Sequence, residues 1–343
     1  MKAAVLHKPG DLRIEEVPYP EPGPGEITVK IEASGLCPTD VKVYRFGSSS
    51  ARYPVILGHE VAGTVYEVGP GVEGIEEGEK VNIPADAYCG QCRYCRMGRE
   101  NLCENPITFG FQVDGGHAEF LRVPKRFVER GLIFKVPEGV SLEEVAMTEP
   151  LACVLHDVES ARTSPGKKVF VIGDGPMGLK HVILSSLYGA DEVVLVGVTD
   201  WKLKLGEELG ATRTVNINEQ DPIDIAQKLG GADIVFLTVV SQATLNQAMR
   251  MVSKTGVVSI FAGLPSGSST ATLDLNLIHY GERSLIGSSN YTYWEYQKAF
   301  SLIASHRVRL EKLISHRFPL SEFHNALKTW EDKNISMKIM IKP

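Results

Sequence analysis

The chain has 343 residues, with 36 Lys and Arg against 42 Asp and Glu, and a formal net charge of −6. Hydrophobic residues make up 43% and charged residues 23%, which excludes a disordered chain, and the length favours two domains. The charge gives no general attraction to nucleic acid or anionic membranes, and no apolar run reaches the ~18–20 residues that span a bilayer. We therefore expect no binding to nucleic acid or to membranes. Since the first residues hold no long apolar segment, we also expect a cytoplasmic protein.

The first ~150 residues are predicted to form an irregular, mostly β domain that resembles a barrel. Short β-type runs such as Ile27–Ile31 and Val61–Val65 alternate with turns rich in Gly and Pro, such as Pro22–Gly25.

Three short segments of this region each contain side chains that zinc favours as ligands. They supply Cys37, His59 with Glu60, and Glu149. A lone cysteine is usually a small buried hydrophobe, and lone histidines and glutamates have structural and surface roles as well. From the spacing alone, a metal site and unrelated structural roles both stay open.

Four of the six cysteines fall within one short stretch, with the spacing C-x2-C-x2-C-x7-C. They are Cys89, Cys92, Cys95 and Cys103. A disulfide framework is typical of small secreted chains, and a ferredoxin-type run has a three-residue last gap followed by Pro, whereas Glu104 follows here. Four thiolates in this spacing predict a closed, structural zinc site, with an iron–sulfur cluster and free thiols as the alternatives.

Beyond Thr163–Gly166, short apolar runs alternate with helix-like stretches, which predicts a parallel sheet with helices on both faces. The candidate strands are Val169–Ile172, Val193–Val198, Ile234–Val239 and Val257–Phe261. The tail holds two further helix-like stretches, 294–305 and 320–330, and a last strand at 338–341.

The first of these strands runs into a G-x-G-x-x-G turn and then a helix, the context in which this motif binds a dinucleotide. Gly173 permits the tight turn, Gly175 lets a pyrophosphate approach the backbone, and Gly178 allows close packing of helix on strand. Pro176 and Met177 lie at the start of the helix, which faces the phosphates with its N-terminus.

At the end of the second strand, where an NAD site has an acidic residue for the ribose 2′-hydroxyl, stands Gly197. Without that acid a 2′-phosphate is not repelled, and Thr199 and Lys202 offer it a hydrogen bond and a positive charge. We therefore expect NADP or dual use in preference to NAD. The alternative is that Asp200 reaches back to the ribose and NAD is used.

Six segments match one known family in their order along the chain. They are Pro22–Glu26, the segment around Cys37, Gly58–Glu60, the four cysteines, Glu149–Leu151 and Gly173–Gly178. Over essentially its full length the chain resembles the zinc-dependent medium-chain dehydrogenases/reductases, and within them the sorbitol (polyol) and threonine dehydrogenase branch.

The resemblance implies an α/β fold with a GroES-like β-rich catalytic domain, residues 1–150 and 288–343, and a structural-zinc lobe at 89–103. A Rossmann domain, residues 151–287, would be inserted between the two parts. It implies two zinc ions per chain, a nicotinamide cofactor and a homodimer or homotetramer. Cys37, His59 and Glu60 would bind the catalytic zinc, Glu149 would be a fourth ligand or a partner of the zinc-bound water, and Thr39 would begin the proton relay.

Two positions depart from the branch. Lys42 stands where a histidine is usual, and Asn290 stands where polyol dehydrogenases have an arginine. With Tyr44 and Arg45 they indicate a polar, cationic pocket that suits a sugar acid such as an aldonate, because a desolvated carboxylate needs a charge partner. The alternative is that Lys42 and Arg45 are solvated surface residues.

The sequence therefore predicts a zinc-dependent oxidoreductase that transfers hydride between NAD(P) and a secondary alcohol of a polyol, sugar or aldonate. L-Threonine and simple secondary alcohols are alternative substrates. A metal-independent reductase and a non-enzymatic nucleotide-binding protein are further alternatives, since a fold does not fix a function.

Overall fold

The structure, a computed structural model, describes residues 1–264 and 269–343. Within them the chain forms two compact units, Met1–Ala152 with Thr292–Pro343, and Cys153–Tyr291. The sequence predicts one domain from residues 1–150 and 288–343 and another from residues 151–287. That these two domains fold independently stays a prediction. No helix of the described residues combines the length and the apolar character needed to cross a membrane.

The first unit is rich in β-structure. Its strands are β1 (Lys2–Lys8), β2 (Asp11–Glu16), β3 (Ile27–Gly35), β4 (Val55–Ile56), β5 (Glu60–Val68), β6 (Lys80–Ile83), β7 (Asp86–Ala87), β8 (Ile107–Thr108), β9 (Phe120–Val123), β10 (Phe134–Lys135), β17 (Ile314–Pro319) and β18 (Lys338–Lys342). Its helices are α1 (Pro38–Phe46), α2 (Arg93–Arg96), α3 (Lys125–Glu129), α4 (Leu142–Ala146), α11 (Tyr293–Ala304) and α12 (Phe323–Glu331). Helix α5 (Thr148–Ser160) begins in the first unit and ends in the second.

A seven-stranded sheet organises this unit in the order β10-β6-β5-β3-β18-β17, with β9 also paired to β3. Strand β18, from the end of the chain, pairs antiparallel with β3 and parallel with β17. Val29, Ile31, Val61 and Val81 on these strands are almost fully buried in one hydrophobic core. The sheet therefore joins strands from residues 27–135 with strands from residues 314–342.

The second unit has alternating strands and helices. Its strands are β11 (Lys168–Ile172), β12 (Glu192–Gly197), β13 (Arg213–Asn216), β14 (Ala232–Leu237), β15 (Val252–Ile260) and β16 (Ser284–Gly287). Its helices are α6 (Pro176–Leu187), α7 (Asp200–Glu208), α8 (Pro222–Lys228), α9 (Gln242–Met251) and α10 (Leu275–His279).

All six strands are parallel, in the order β13-β12-β11-β14-β15-β16. In order of appearance this is 3-2-1-4-5-6, the doubly wound arrangement that binds dinucleotides at the carboxyl ends of its strands. Phe170, Val194 and Val235 are fully buried in its core, so the near-continuous apolar runs are those of strands covered on both faces. The predicted parallel sheet is confirmed. Strand β15 begins at Val252, before the predicted start, because Val252 pairs with Ala232 ahead of a register shift.

Candidate active site

The three residues expected to bind a catalytic metal lie together in the first unit. Cys37 is the N-cap of α1, Glu60 is the first residue of β5, and His59 directly precedes this strand. Their ligand atoms all lie within 4.8 Å of one another. Gly58 makes this approach possible, because its φ of +99° favours glycine and an added Cβ would lie 2.8 Å from the His117 ring.

A buried carboxylate holds the histidine of this cluster. Asp40 Oδ1 lies 3.3 Å from His59 Nδ1, and Asp40 Oδ2 accepts a hydrogen bond from the Cys37 N–H at 2.9 Å. Oδ2 also lies 3.4 Å from His117 Nε2, and the other nitrogen of that ring lies 2.9 Å from Ser34 Oγ. With Nδ1 turned to Asp40, His59 presents Nε2 as its free ligand atom, the arrangement typical of metal-binding histidines.

The charges in this pocket stabilise one another. Burial acts to raise the pKa of Asp40, but the charge of His59 and the hydrogen bonds from His117 and His59 hold it below its usual range. Burial acts to lower the pKa of His59, but the charges of Asp40 and Cys37 raise it well above its usual value. A metal ion would be held by Cys37 as a thiolate and by His59 as a neutral imidazole. One sulfur, one nitrogen and one carboxylate oxygen make three protein ligands, the number typical of a catalytic zinc site.

Glu60 and Glu149 differ in their surroundings. Glu60 is paired with the buried Lys338 of β18, whose Nζ also donates to the carbonyl oxygen of Leu36 at 3.1 Å. Glu149 is buried at the start of α5 and lies outside the cluster of three ligands. Burial raises the pKa of Glu149 to about 7, while the charge of His59 opposes this shift and the charge of Glu60 adds to it. Glu149 thus lies close enough to His59 and Glu60 to be affected by their charges, although it is outside the ligand cluster.

The four-cysteine segment folds into a single site. All four sulfurs lie within 4.8 Å of one another, and the cysteines are free. The N–H groups of Gln91 and Cys92 donate to Cys89 Sγ at 3.4 and 3.3 Å, which lowers the pKa of the Cys89 thiol to about 6. Burial raises the pKa of the Cys95 thiol to about 12. Four converging sulfurs, one of them with a lowered thiol pKa, fit a structural zinc ion.

In the second unit the glycine turn has the expected form. An added Cβ at Gly178 would collide with the carbonyl oxygen of Gly173, so α6 packs closely on the turn. Apart from its neighbours along the chain, no described residue has an atom within 4 Å of a Cβ placed at Gly175, the N-cap of α6. That N-cap makes no side-chain cap hydrogen bond, and Pro176 and Met177 begin the helix behind it. This open helix N-terminus fits a pyrophosphate.

The predicted ribose contacts lie at the next strand. Gly197 ends β12, and Thr199 is the N-cap of α7. Lys202 is buried, with its Nζ 5.4 Å from the centre of the Trp201 ring. Asp200 Oδ1 accepts a hydrogen bond from Asn216 Nδ2 at 2.7 Å, so this carboxylate is turned towards β13.

The predicted substrate residues are not brought together in one unit. Lys42 is exposed on α1, and Tyr44 is half-buried against the hydrophobic core of the first unit. Arg45 is paired with Glu331 of α12, which supports its surface alternative. Asn290 belongs to the second unit, where its Oδ1 accepts a hydrogen bond from the Tyr291 N–H at 2.9 Å. Thr39 is the second residue of α1, and it is exposed.

The sequence did not predict that His117 lies behind the metal ligands. A histidine after two glycines is an ordinary turn residue, and only its pairing with Asp40 and Ser34 shows its place. The sequence shows only a histidine after two glycines, and its burial becomes visible in the structure.

Known proteins share both halves of this architecture. A family model described as an alcohol dehydrogenase GroES-like domain matches residues 23–137, and one described as a zinc-binding dehydrogenase matches residues 176–305. The sorbitol dehydrogenase of Bacillus subtilis is 30% identical over 100% of this chain and 97% of its own length. The chain belongs to the zinc-binding dehydrogenase family.

Two further members of that family resemble the chain throughout. The L-threonine 3-dehydrogenase of Pyrococcus horikoshii is 33% identical over 93% of this chain and 91% of its own length. A solved structure from Sinorhizobium meliloti, a putative zinc-binding dehydrogenase bound to NADP, has a TM-score of 0.93 and 32% identity, covering 100% of this chain and 99% of that one. The predicted GroES-like and Rossmann fold, and membership of the polyol and threonine dehydrogenase branch, are confirmed. As a zinc-binding dehydrogenase the chain is an oxidoreductase of the alcohol and polyol type.

Proposed function

We propose that the chain transfers hydride between a secondary alcohol of a polyol, sugar or aldonate and NAD(P). The observation that carries the proposal is the cluster of Cys37, His59 and Glu60 in a chain that also has an open glycine turn. The named activities of the relatives, on sorbitol and L-threonine, support a secondary alcohol as the reacting group.

Each residue of the site has a part in the proposed mechanism. Cys37, His59 and Glu60 would hold a zinc ion, which supplies a Lewis acid for the substrate hydroxyl, while NAD(P) supplies the hydride acceptor. Asp40 keeps Nε2 of His59 in position and stabilises the charge of the site. Glu149, buried beside the cluster, would be a fourth ligand or would position a group held by the ion, and Thr39 would begin the proton relay.

A substrate screen tests the proposal. Sorbitol and other polyols, aldonates, L-threonine and simple secondary alcohols would be assayed with NAD and with NADP by the absorbance of the reduced cofactor. We expect the highest kcat/KM with a polyol or an aldonate. Inactivity across the whole panel with both cofactors would favour the non-enzymatic alternative.

A single substitution separates the zinc mechanism from a metal-independent reductase. Cys37→Ser removes one ligand of the cluster and leaves the glycine turn of the second unit untouched. We expect turnover to disappear while the reduced cofactor still binds. Unchanged turnover in this variant would support a metal-independent reductase instead.

We also propose a cytoplasmic homodimer or homotetramer. The six free cysteines support a reducing compartment, where disulfides are rare. Light scattering on the purified, zinc-loaded protein measures the oligomeric state, and a monomer would contradict this part of the proposal.

A further inference from the structure

The end of β12 is already occupied by a carboxylate from another strand–helix turn. A Cβ built on Gly197 would lie 2.5 Å from Asp174 Cβ and 2.7 Å from its Cγ and Oδ2. Asp174 is the second residue of the glycine turn, between Gly173 and Gly175. The space that a side chain would fill at Gly197 is therefore filled by the side chain of Asp174.

Backbone hydrogen bonds fix Asp174 in this place. Its Oδ2 accepts from the N–H of Val198 at 2.9 Å and from the N–H of Thr199 at 2.8 Å. Its Oδ1 receives no hydrogen bond from any residue that the structure describes. One carboxylate oxygen thus anchors the loop after β12, and the other is available to a ligand.

Neighbouring charged residues do not take over this role. Asp200, the next acid after Gly197, is held by Asn216 on β13. Lys202 is buried beside Trp201, and a buried amine beside a ring is poorly placed to meet a solvated phosphate. Asp174 accordingly sets the charge at the end of β12.

We infer that Asp174 determines the choice of cofactor, standing in for the acidic residue that an NAD site usually has at the end of its second strand. This inference rests on the proposed function, because it assigns the adenosine ribose to the end of β12. Oδ1 accepts a hydrogen bond from the ribose 2′-hydroxyl, and the negative charge repels a 2′-phosphate. The enzyme accordingly prefers NAD. Gly197 taken alone favours NADP or dual use, whereas an acid supplied by the glycine turn favours NAD.

Binding measurements test the inference without catalysis. Dissociation constants of NADH and NADPH would be measured by titration calorimetry for the wild type and for Asp174→Asn, which keeps an acceptor for Val198 and Thr199 but loses the charge. We expect the wild type to bind NADH more tightly. In Asp174→Asn the ratio of the NADPH constant to the NADH constant should fall about tenfold, corresponding to roughly 1.4 kcal/mol. Asp224→Asn, which removes an exposed charge from the same unit, is the matched control and should leave the ratio unchanged.

A rescue experiment separates charge from loop structure. Gly197→Asp alone should destabilise the protein, since its side chain collides with Asp174. Asp174→Gly should lose the preference for NADH, and the double variant Asp174→Gly with Gly197→Asp should regain it. Tighter binding of NADPH by the wild type, or an unchanged ratio in Asp174→Asn, would overturn the role of Asp174 and leave the proposed function standing. Failure of the wild type to bind either cofactor would overturn the proposed function and this inference with it.

Discussion

Asp40 Oδ1 lies 3.3 Å from Nδ1 of His59, and both side chains are buried. Removing the charge of Asp40 should therefore weaken the metal site without removing a ligand. We expect Asp40→Asn to bind zinc about 10–100-fold more weakly, the usual cost of losing the carboxylate behind a ligand histidine. Competition with a zinc chelator measures the affinity. Asp11→Asn, which changes a half-buried acid paired with Arg13 outside the ligand cluster, is the control, and equal affinities in both variants would contradict this role of Asp40.

The two cysteine-containing sites predict the zinc content of the chain. Metal analysis of fully loaded protein should find two zinc ions per chain. Cys103→Ser should lower the content to one and leave the cluster around Cys37 loaded, because the structural site needs all four sulfurs. Cys153→Ser, which removes a cysteine from outside both clusters, should leave two. A wild-type content of one would show that one of the two sites does not bind zinc, and a content of none would show this for both.

The glycines of the dinucleotide turn should respond differently to the same small change. Gly178→Ala places a methyl group against the carbonyl oxygen of Gly173, so we expect the free energy of unfolding to fall by about 1–3 kcal/mol. Gly175→Ala meets open space and should cost less than ~1 kcal/mol as a changed N-cap. The methyl group of Gly175→Ala should, however, weaken NADH binding about tenfold or more by blocking the approach of the pyrophosphate. Denaturant unfolding and calorimetry measure the two effects, and equal losses of stability would refute the packing difference.

An ion-pair group between α4 and the last two strands should make stability depend on pH. Glu143 accepts hydrogen bonds from Arg317 of β17 at 2.8 and 2.9 Å and pairs with Lys342 of β18 at 2.8 Å. The hydrogen bond from Arg317 holds the pKa of Glu143 below its usual range, while partial burial opposes this and Lys342 adds to it.

Because the folded-state pKa of Glu143 is the lower one, its stabilising effect is present above the unfolded pKa and is lost as pH falls through the folded one. Both cations are more than a third exposed, so we expect Glu143→Gln to cost only about 1 kcal/mol at pH 7. The difference from wild type should vanish in acid, as measured by thermal unfolding between neutral pH and pH 3. Glu138→Gln, at an exposed position, is the control, and a cost that persists in acid would contradict the ion-pair explanation.

The parts of the site that local spacing controls were predictable from the sequence. The four cysteines and the turn from Gly173 to Gly178 bring their own residues together, because a few backbone angles determine where each group points. The contact of His117 with Asp40 depends instead on how β-strands far apart in sequence pair. The contact of Asp174 with Gly197 likewise depends on the register of two parallel strands, in which Ile172 lies beside Val196. No pattern along the chain records either relationship.

Strand β18 lies between β3 and β17, and its Lys338 contacts Glu60. During synthesis the sheet and the buried ion pair beside the metal ligands therefore stay incomplete until Lys338–Lys342 has been made. A chain that lacks this strand would still contain Cys37, His59 and Glu60, but Glu60 would have lost its buried cation and β3 its neighbour.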